Sequence, residues 1–364
     1  MMGIAVSFCI TVYNQSELVK RCIDSIVAYK GNNIEIVISD DGSTEDIKTL
    51  IEEYHDERIK YYVNSVNLGH DRNIVNALSK ANGKYAFLLR TRDMIIPSAI
   101  PLIIGAAEKG QASYITGEAV NQEGDIKIRY SKSMFKKGDE ALEANFKLFI
   151  HPSGNMYRVS DLELSAISSF LDENNVPKDG FIVHSLLRMQ LALKGNFRLI
   201  SPAIWIYADT ETSTDKAVNR SANGKSVYDP CLVEKRFLYE TRWAKQVLGE
   251  YYYKAFFRLV SMYLDLVTWG VKLTNADKRT QKHYGYEAIP FSVSRERKRF
   301  RIICDKEYVQ IANSIDTNYK RRMGKIFLKN STVGAVKYLI RKCTYGSWLY
   351  NKLSVVYKKI CIKL

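Results

Sequence analysis

IAVSFCIT (residues 4–11) and IEIVIS (residues 34–39) are two apolar runs of strand length. Between them Leu18, Val19, Cys22, Ile23, Ile26 and Val27 recur at i, i+3 and i+4, the spacing of a helix with one buried face. A buried strand, a helix and a second buried strand make a βαβ unit, which calls for parallel pairing. The pattern continues outward. Ser43 or Thr44 suits the cap of a helix carrying Ile47, Leu50, Ile51 and Tyr54 inward, with Glu45 and Asp46 in its first turn. RIKYYV (58–63) reads as a strand, residues 71–81 as a helix, and KYAFLL (84–89) as a fourth strand. SPAIWIY (201–207) reads as the last strand of this region. The expected fold class is α/β, a Rossmann-like, mostly parallel sheet covered on both faces.

The chain has 364 residues, a length that fits two or three domains. Its apolar fraction of 46% excludes disorder as the main state. The net charge of +15 is unevenly spread. Residues 1–215 hold 23 Lys/Arg against 28 Asp/Glu, a net of −5, and residues 216–364 hold 31 against 11, a net of +20. The expected domains are therefore 1–215 and 216–364, the second strongly basic. The six cysteines form no C-x-x-C motif, which argues against a zinc domain or a disulfide scaffold and fits a reducing cytoplasm. MMGIAVSFCITVYNQ lacks the features of a signal peptide, and no apolar run is long enough to span a membrane. P-loop, G-x-S-x-G and G-x-G-x-x-G motifs are absent, and the histidines lack metal-ligand spacing.

In a parallel α/β sheet, ligands bind at the carboxyl ends of the strands. Three of those ends run into polar clusters: Thr11-Val12-Tyr13-Asn14, Asp40-Asp41-Gly42-Ser43 and Arg90-Thr91-Arg92-Asp93. With Asn67-Leu68-Gly69 and Arg72-Asn73, the first two of these resemble the pattern of family 2 glycosyltransferases of the GT-A fold: T-x-Y-N, then D-D-G-S, then N-x-G…R-N. The resemblance covers roughly residues 4–215. It implies a nucleotide-sugar donor, with Asp41 accepting from the nucleobase and Thr11 and Tyr13 lining its pocket. Asp40 would be a structural or ribose-side neighbour, and Arg72 would meet the diphosphate.

One motif departs from the family. Where the family has L-D-x-D-D, this chain reads Leu89-Arg90-Thr91-Arg92-Asp93. A departing diphosphate needs its charge neutralised, by a divalent metal or by cationic side chains. Three readings stand: Asp93 holds Mg²⁺ or Mn²⁺, or Arg90 or Arg92 supplies the charge, or the site is inactive. The divalent-metal reading is carried forward as the expectation.

Further on, His151-Pro152-Ser153-Gly154-Asn155 resembles the family's glycine-containing loop near the acceptor, which implies acceptor-side roles for Gly154 and Asn155. Asp179, in Val176-Pro177-Lys178-Asp179-Gly180-Phe181, matches the family's general base at a helix start, although a carboxylate there also suits a helix cap. His184, one turn on, is a further acceptor-side candidate. A single base and direct displacement imply inversion at the anomeric carbon.

Residues 208–228 read as a linker or mobile loop. Beyond it the pattern is helical, with Trp243, Val247 and Leu248 on one helix and Phe256 to Trp269 on another. Ser294–Arg301 holds five basic residues in eight, and residues 333–364 mix aromatic, aliphatic and basic residues. Three uses suit this region: an anionic membrane surface, helical packing or oligomerisation, and nucleic acid. The first is favoured, and no nucleic-acid module is recognised. The whole implies a cytoplasmic, peripheral, inverting glycosyltransferase. It would use a UDP-sugar and a lipid-linked or growing surface glycan such as capsule or O-antigen. The alternative is a non-catalytic nucleotide- or glycan-binding relative.

Overall fold

The computed structural model describes residues 3–129, 132–147, 151–208, 229–272, 288–342, 349 and 352–355. The chain divides into two compact units, Met1–Thr214 with Trp243–Gly249, and Asp215–Arg242 with Glu250–Leu364.

The first unit is built on a ten-stranded sheet. Its parallel part is built around β1 (Val6–Val12), flanked by β2 (Ile34–Asp40) and β4 (Tyr85–Arg90), with β3 (Ile59–Val63) beyond β2 at the edge. All three of these pairings are parallel. Every residue of β2 is buried, as are all but Thr11 of β1, because α-helices cover both faces. The covering helices begin with α1 (Ser16–Val27), α2 (Ile47–Glu52), α3 (His70–Ser79) and α4 (Ile100–Lys109). Phe8 and Phe87 meet at 5.3 Å inside this core, each burial contributing about 1.5–3 kcal/mol.

Beyond β4 the sheet becomes mixed. The elements there are β5 (Met94–Ile95), β6 (Tyr114–Val120), β7 (Ile126–Ile128), β8 (Met134–Phe135), β9 (Asn155–Arg158) and β10 (Phe197–Ile206). β9 lies antiparallel between β4 and β6, and β6 pairs in parallel with β10. The predicted last strand is the second half of β10, which is interrupted between Ile200 and Trp205. Helices α5 (Asp139–Lys147), α6 (Leu164–Glu173) and α7 (Val183–Ala192) complete the unit. Residues 209–228 of the expected linker lie outside the described residues.

The second unit is helical throughout its described elements: part of α8 (Pro230–Val247), then α9 (Tyr252–Asp265), α10 (Val293–Ala312) and α11 (Thr317–Lys342). Phe237 sits among Phe256, Tyr263 and Phe300, and Tyr308 stacks on Tyr319 at 3.9 Å. Part of the basic excess packs on this aromatic core: Arg322 lies over Phe257 at 4.7 Å, and Arg301 over Tyr319 at 5.6 Å. Among the described residues, no helix is long and apolar enough to cross a membrane. Of the aromatic–basic stretch 333–364, residues 343–348, 350, 351 and 356–364 lie outside the described residues.

Candidate active site

The registers align the strand ends that carry the polar clusters. Thr11 pairs with Ser39 on one side and Arg90 on the other, and Val12 pairs with Asp40. Past β1 the chain turns through Asn14 (φ 57°) and Gln15 (φ 68°), left-handed conformations that asparagine tolerates better than most residues. The turn is locked from the β2 side. Asn14 Oδ1 accepts from Thr44 N (2.8 Å), and Asn14 N donates to Ser43 Oγ (2.7 Å). Tyr13 stays 49% exposed at this edge.

Asp40 is structural. Its Oδ1 accepts from Ser43 N and Oγ at 2.8 and 2.6 Å, and its Oδ2 from Tyr61 Oη at 2.6 Å. Asp41 is buried, and three donors already meet its carboxylate: Asn64 Nδ2 (2.9 Å) and Leu68 N (2.8 Å) on Oδ1, Gly69 N (2.9 Å) on Oδ2. About one of its roughly four acceptor positions is left for a ligand. Its main work is to hold the Asn67-Leu68-Gly69 turn.

That turn grips the loop of Asp179. His70 N donates to Lys178 O at 3.1 Å, and Lys178 Nζ donates to Asn67 O at 2.6 Å. Gly69 lies at φ +90°, and a Cβ there would stand 2.5 Å from the Lys178 carbonyl oxygen. The α7 backbone is capped from α3: Asp71 accepts from Ile182 N (3.0 Å) and Val183 N (3.3 Å). The sequence suggests a cap at Asp179, whereas Asp71, inside G-H-D-R-N, takes the N–H groups at the start of this helix. Asn73 locks the same region, donating to Ser39 O (3.0 Å) and accepting from Ser39 Oγ (2.7 Å).

Arg72 is a correction. Its guanidinium is engaged with the end of α6 and the segment after it, at Asp172 Oδ1 (2.8 Å), Leu171 O (3.3 Å) and Val176 O (3.0 Å). It braces the approach to Asp179 and is not turned to a diphosphate. Gly154 and Asn155 are corrected too. Gly154 (φ +81°) is required because a Cβ would lie 2.2 Å from the Trp205 indole nitrogen. Asn155 is fully buried, its amide donating to His151 O (2.6 Å) and Pro152 O (2.8 Å) and accepting from Tyr114 Oη (2.5 Å). Both shape the sheet interior rather than an acceptor surface.

His184 has both ring nitrogens buried without a hydrogen-bond partner. Burial first, then the neighbouring His70 and Arg188, lower its pKa well below the usual value, so it is neutral at pH 7. His70 lies 5.4 Å from His184 and 4.7 Å from Phe181, a bulky residue held at φ +54°. These three rings adjoin the Asp179 loop in sequence or contact.

At the end of β4, Asp93 is 0% exposed. Its Oδ2 accepts from Arg90 Nε (2.8 Å) and Ser153 Oγ (2.5 Å), and its Oδ1 from Arg90 Nη2 (3.2 Å) and Ala208 N (3.2 Å). Burial alone raises its pKa, but the Arg90 guanidinium and the hydrogen bonds hold the carboxyl below its usual range. His151 is 4.0 Å from Asp93, yet this is no ion pair at pH 7. Burial, then Arg90, pushes the His151 pKa down to about 3, and its Nδ1 accepts from Ser153 N (3.1 Å). The expected metal role of Asp93 is therefore corrected. All four acceptor positions of its carboxylate are filled, two of them by a guanidinium. Among the described residues, no three His, Cys, Asp or Glu gather as metal ligands. These residues do not fit a divalent ion.

Residues 7–164 match Glycosyl transferase family 2. The chain is 25% identical over 196 residues to a GalNAc(5)-diNAcBac-PP-undecaprenol beta-1,3-glucosyltransferase of Campylobacter jejuni, covering 50% of this chain and 63% of that protein. It is 35% identical over 103 residues to the abequosyltransferase RfbV of Salmonella typhimurium, covering 27% and 31% respectively. The matched stretch thus spans less than two thirds of either relative. Among solved structures it is similar to S. aureus TarS 1-349 in complex with UDP-GlcNAc, at 13% identity and a TM-score of 0.49, covering 85% of this chain and 92% of that one. Residues 7–164 are thus similar to a family 2 glycosyltransferase domain, and they lie in the α/β sheet that the strand–helix alternation predicts.

Proposed function

We propose that the chain transfers one sugar from a nucleotide sugar to a hydroxyl of a lipid-linked or growing bacterial surface glycan, with inversion. The observation that carries this reading is the connection between two strand-end features. Asp41 holds the Leu68–Gly69 turn, and that turn holds Lys178, the neighbour of Asp179. Donor-side and base-side elements thus form one rigid assembly, as in-line displacement requires. Thr11, Tyr13 and the remaining acceptor position of Asp41 receive the nucleoside, with uridine as the first choice. Arg90 and Arg92 stand at the diphosphate end.

In the reaction, Asp179 takes the proton from the acceptor hydroxyl. The hydroxyl oxygen bonds to the anomeric carbon as the bond from that carbon to the diphosphate oxygen breaks. The nucleoside diphosphate leaves with the bonding electrons. His184, with Phe181 and His70, forms the acceptor side, where a sugar hydroxyl would satisfy an orphaned ring nitrogen.

Residues 1–215 are the catalytic part of this reading. Residues 216–364, with their net charge of +20, hold the enzyme peripherally on the anionic inner face of the cell membrane. The name of one relative, a glucosyltransferase on an undecaprenol-linked glycan, supports the acceptor class. A thermal-shift screen of nucleotide sugars tests the donor, since ligands that bind the folded state raise the melting temperature. Release of nucleoside diphosphate with undecaprenol-linked acceptors tests transfer. Failure of every nucleotide to bind would remove the reading.

A further inference from the structure

The segment Arg90-Thr91-Arg92-Asp93 carries two arginines against one aspartate, a formal charge of +1. The family pattern it replaces has three acids, a formal −3, which a divalent ion would bring to −1. This chain therefore starts more positive without an ion than the pattern is with one. A cation entering here meets two guanidinium groups rather than an acidic pair.

The side chains are arranged accordingly. Asp93 clamps Arg90 through Nε at 2.8 Å and Nη2 at 3.2 Å, a bidentate pair of fixed orientation. Its other two acceptor positions are taken by Ser153 Oγ and Ala208 N. Ligation of a metal by this carboxylate would require breaking at least one of these bonds to a fully buried group. It would also set a divalent charge against the guanidinium. Arg90 is not consumed by the pair. A guanidinium has five N–H donors, and Asp93 takes two. The Arg90 side chain remains 24% exposed at the carboxyl edge of β4, in register with Thr11. The charge of Arg92 is buried beside it in sequence and adds to the local positive field.

We propose that Arg90, oriented by Asp93 and reinforced by the charge of Arg92, neutralises the diphosphate of the donor, so that nucleotide binding requires no divalent cation. The inference rests on the nucleotide-sugar reading above. As the bond to the anomeric carbon breaks, the departing diphosphate gains negative charge, and the free N–H groups of Arg90 receive it.

The test is calorimetric titration of the full chain with UDP, GDP, CDP and dTDP, in EDTA and in Mn²⁺ or Mg²⁺. Affinity for the preferred nucleotide is expected to agree within about twofold across these conditions. Loss of tenfold or more in EDTA would overturn the inference while leaving the nucleotide-sugar reading intact. Binding of no nucleotide under any condition would overturn both. R90Q is expected to weaken the nucleoside diphosphate by tenfold or more while leaving the monophosphate within about threefold. Equal weakening of both would remove Arg90 from the diphosphate. Should R90Q fail to fold, the double variant R90Q/D93N removes both charges of the pair together and is read in the same way, and the EDTA titration of the unmodified chain stands alone.

Discussion

Asp71, in the first turn of α3, accepts a hydrogen bond from the backbone of Ile182, more than a hundred residues away, at 3.0 Å. Its second oxygen takes Val183 N at 3.3 Å, so one buried carboxylate caps the helix that follows Asp179. A cap supplied from another element fixes the helix start relative to α3, and so places the Asp179 loop against the Asn67–Gly69 turn. Asp71→Ala is expected to cost about 1–2 kcal/mol of stability, the upper range for a lost cap. It is also expected to lower kcat more than it raises KM for donor. Urea denaturation and steady-state kinetics measure the two effects. A loss of stability with unchanged kcat would limit Asp71 to folding.

The same turn makes a sharper prediction at Gly69. An alanine there faces both a left-handed φ of +90° and a 2.5 Å contact with the Lys178 backbone. Neither can be relieved by rotating a side chain, because the opposing atoms are the Lys178 carbonyl oxygen, Cα and Cβ, which no χ rotation moves. Gly69→Ala is expected to lose at least about 1 kcal/mol of stability. Gly105→Ala, where a Cβ meets nothing within 4 Å, is the control and is expected to keep its melting temperature or raise it.

Asp179 lies in a half-buried loop whose geometry other residues hold, so its removal is expected to spare the fold. Asp179→Asn keeps the shape of the side chain and removes the base. Transfer is expected to fall by at least about 100-fold with the melting temperature unchanged within error. Near-normal turnover would exclude Asp179 as the base.

The first half of the sheet was legible because it is written in continuous apolar runs. VSFCITV and IEIVISD are buried from both sides, and helical spacing separates them. The second half was not. YITGEAV in β6 carries Glu118 and Gly117 in a buried strand, where Glu118 is held by Ser201 and Gly117 makes room for Ile204. Such compensation is tertiary and leaves no periodicity to read. The candidate site divides in the same way. Motif residues were found by type, but a motif does not say whether a polar side chain faces a ligand or its own fold. Arg72, Gly154 and Asn155 turned inward, while Asp71, Asn73, Ser153 and His151, not singled out for roles in the sequence, organise the site.

His151 and Asp93 give stability a pH dependence whose sign follows from burial. His151 is held near a pKa of about 3 in the folded chain, against about 6.5 when unfolded. Between those values the unfolded chain binds a proton that the folded chain refuses, so stability falls as pH drops through this range, by up to about 1.4 kcal/mol per pH unit. Asp93 acts lower. Its folded pKa lies below the ordinary carboxylate value, so its contribution is present above about pH 4 and is lost as pH falls through the folded value. Urea midpoints between pH 5 and 7 therefore report His151 together with His184, whose pKa burial also lowers, and lie above the range of Asp93. His151→Asn keeps an acceptor for Ser153 N but has no proton to gain, and it is expected to reduce the slope in that window, leaving the share of His184, whatever it does to absolute stability. An unchanged slope would mean that His151 is accessible to protonation in the folded chain, and that its packing against Trp205 at 4.9 Å does not exclude the charged ring.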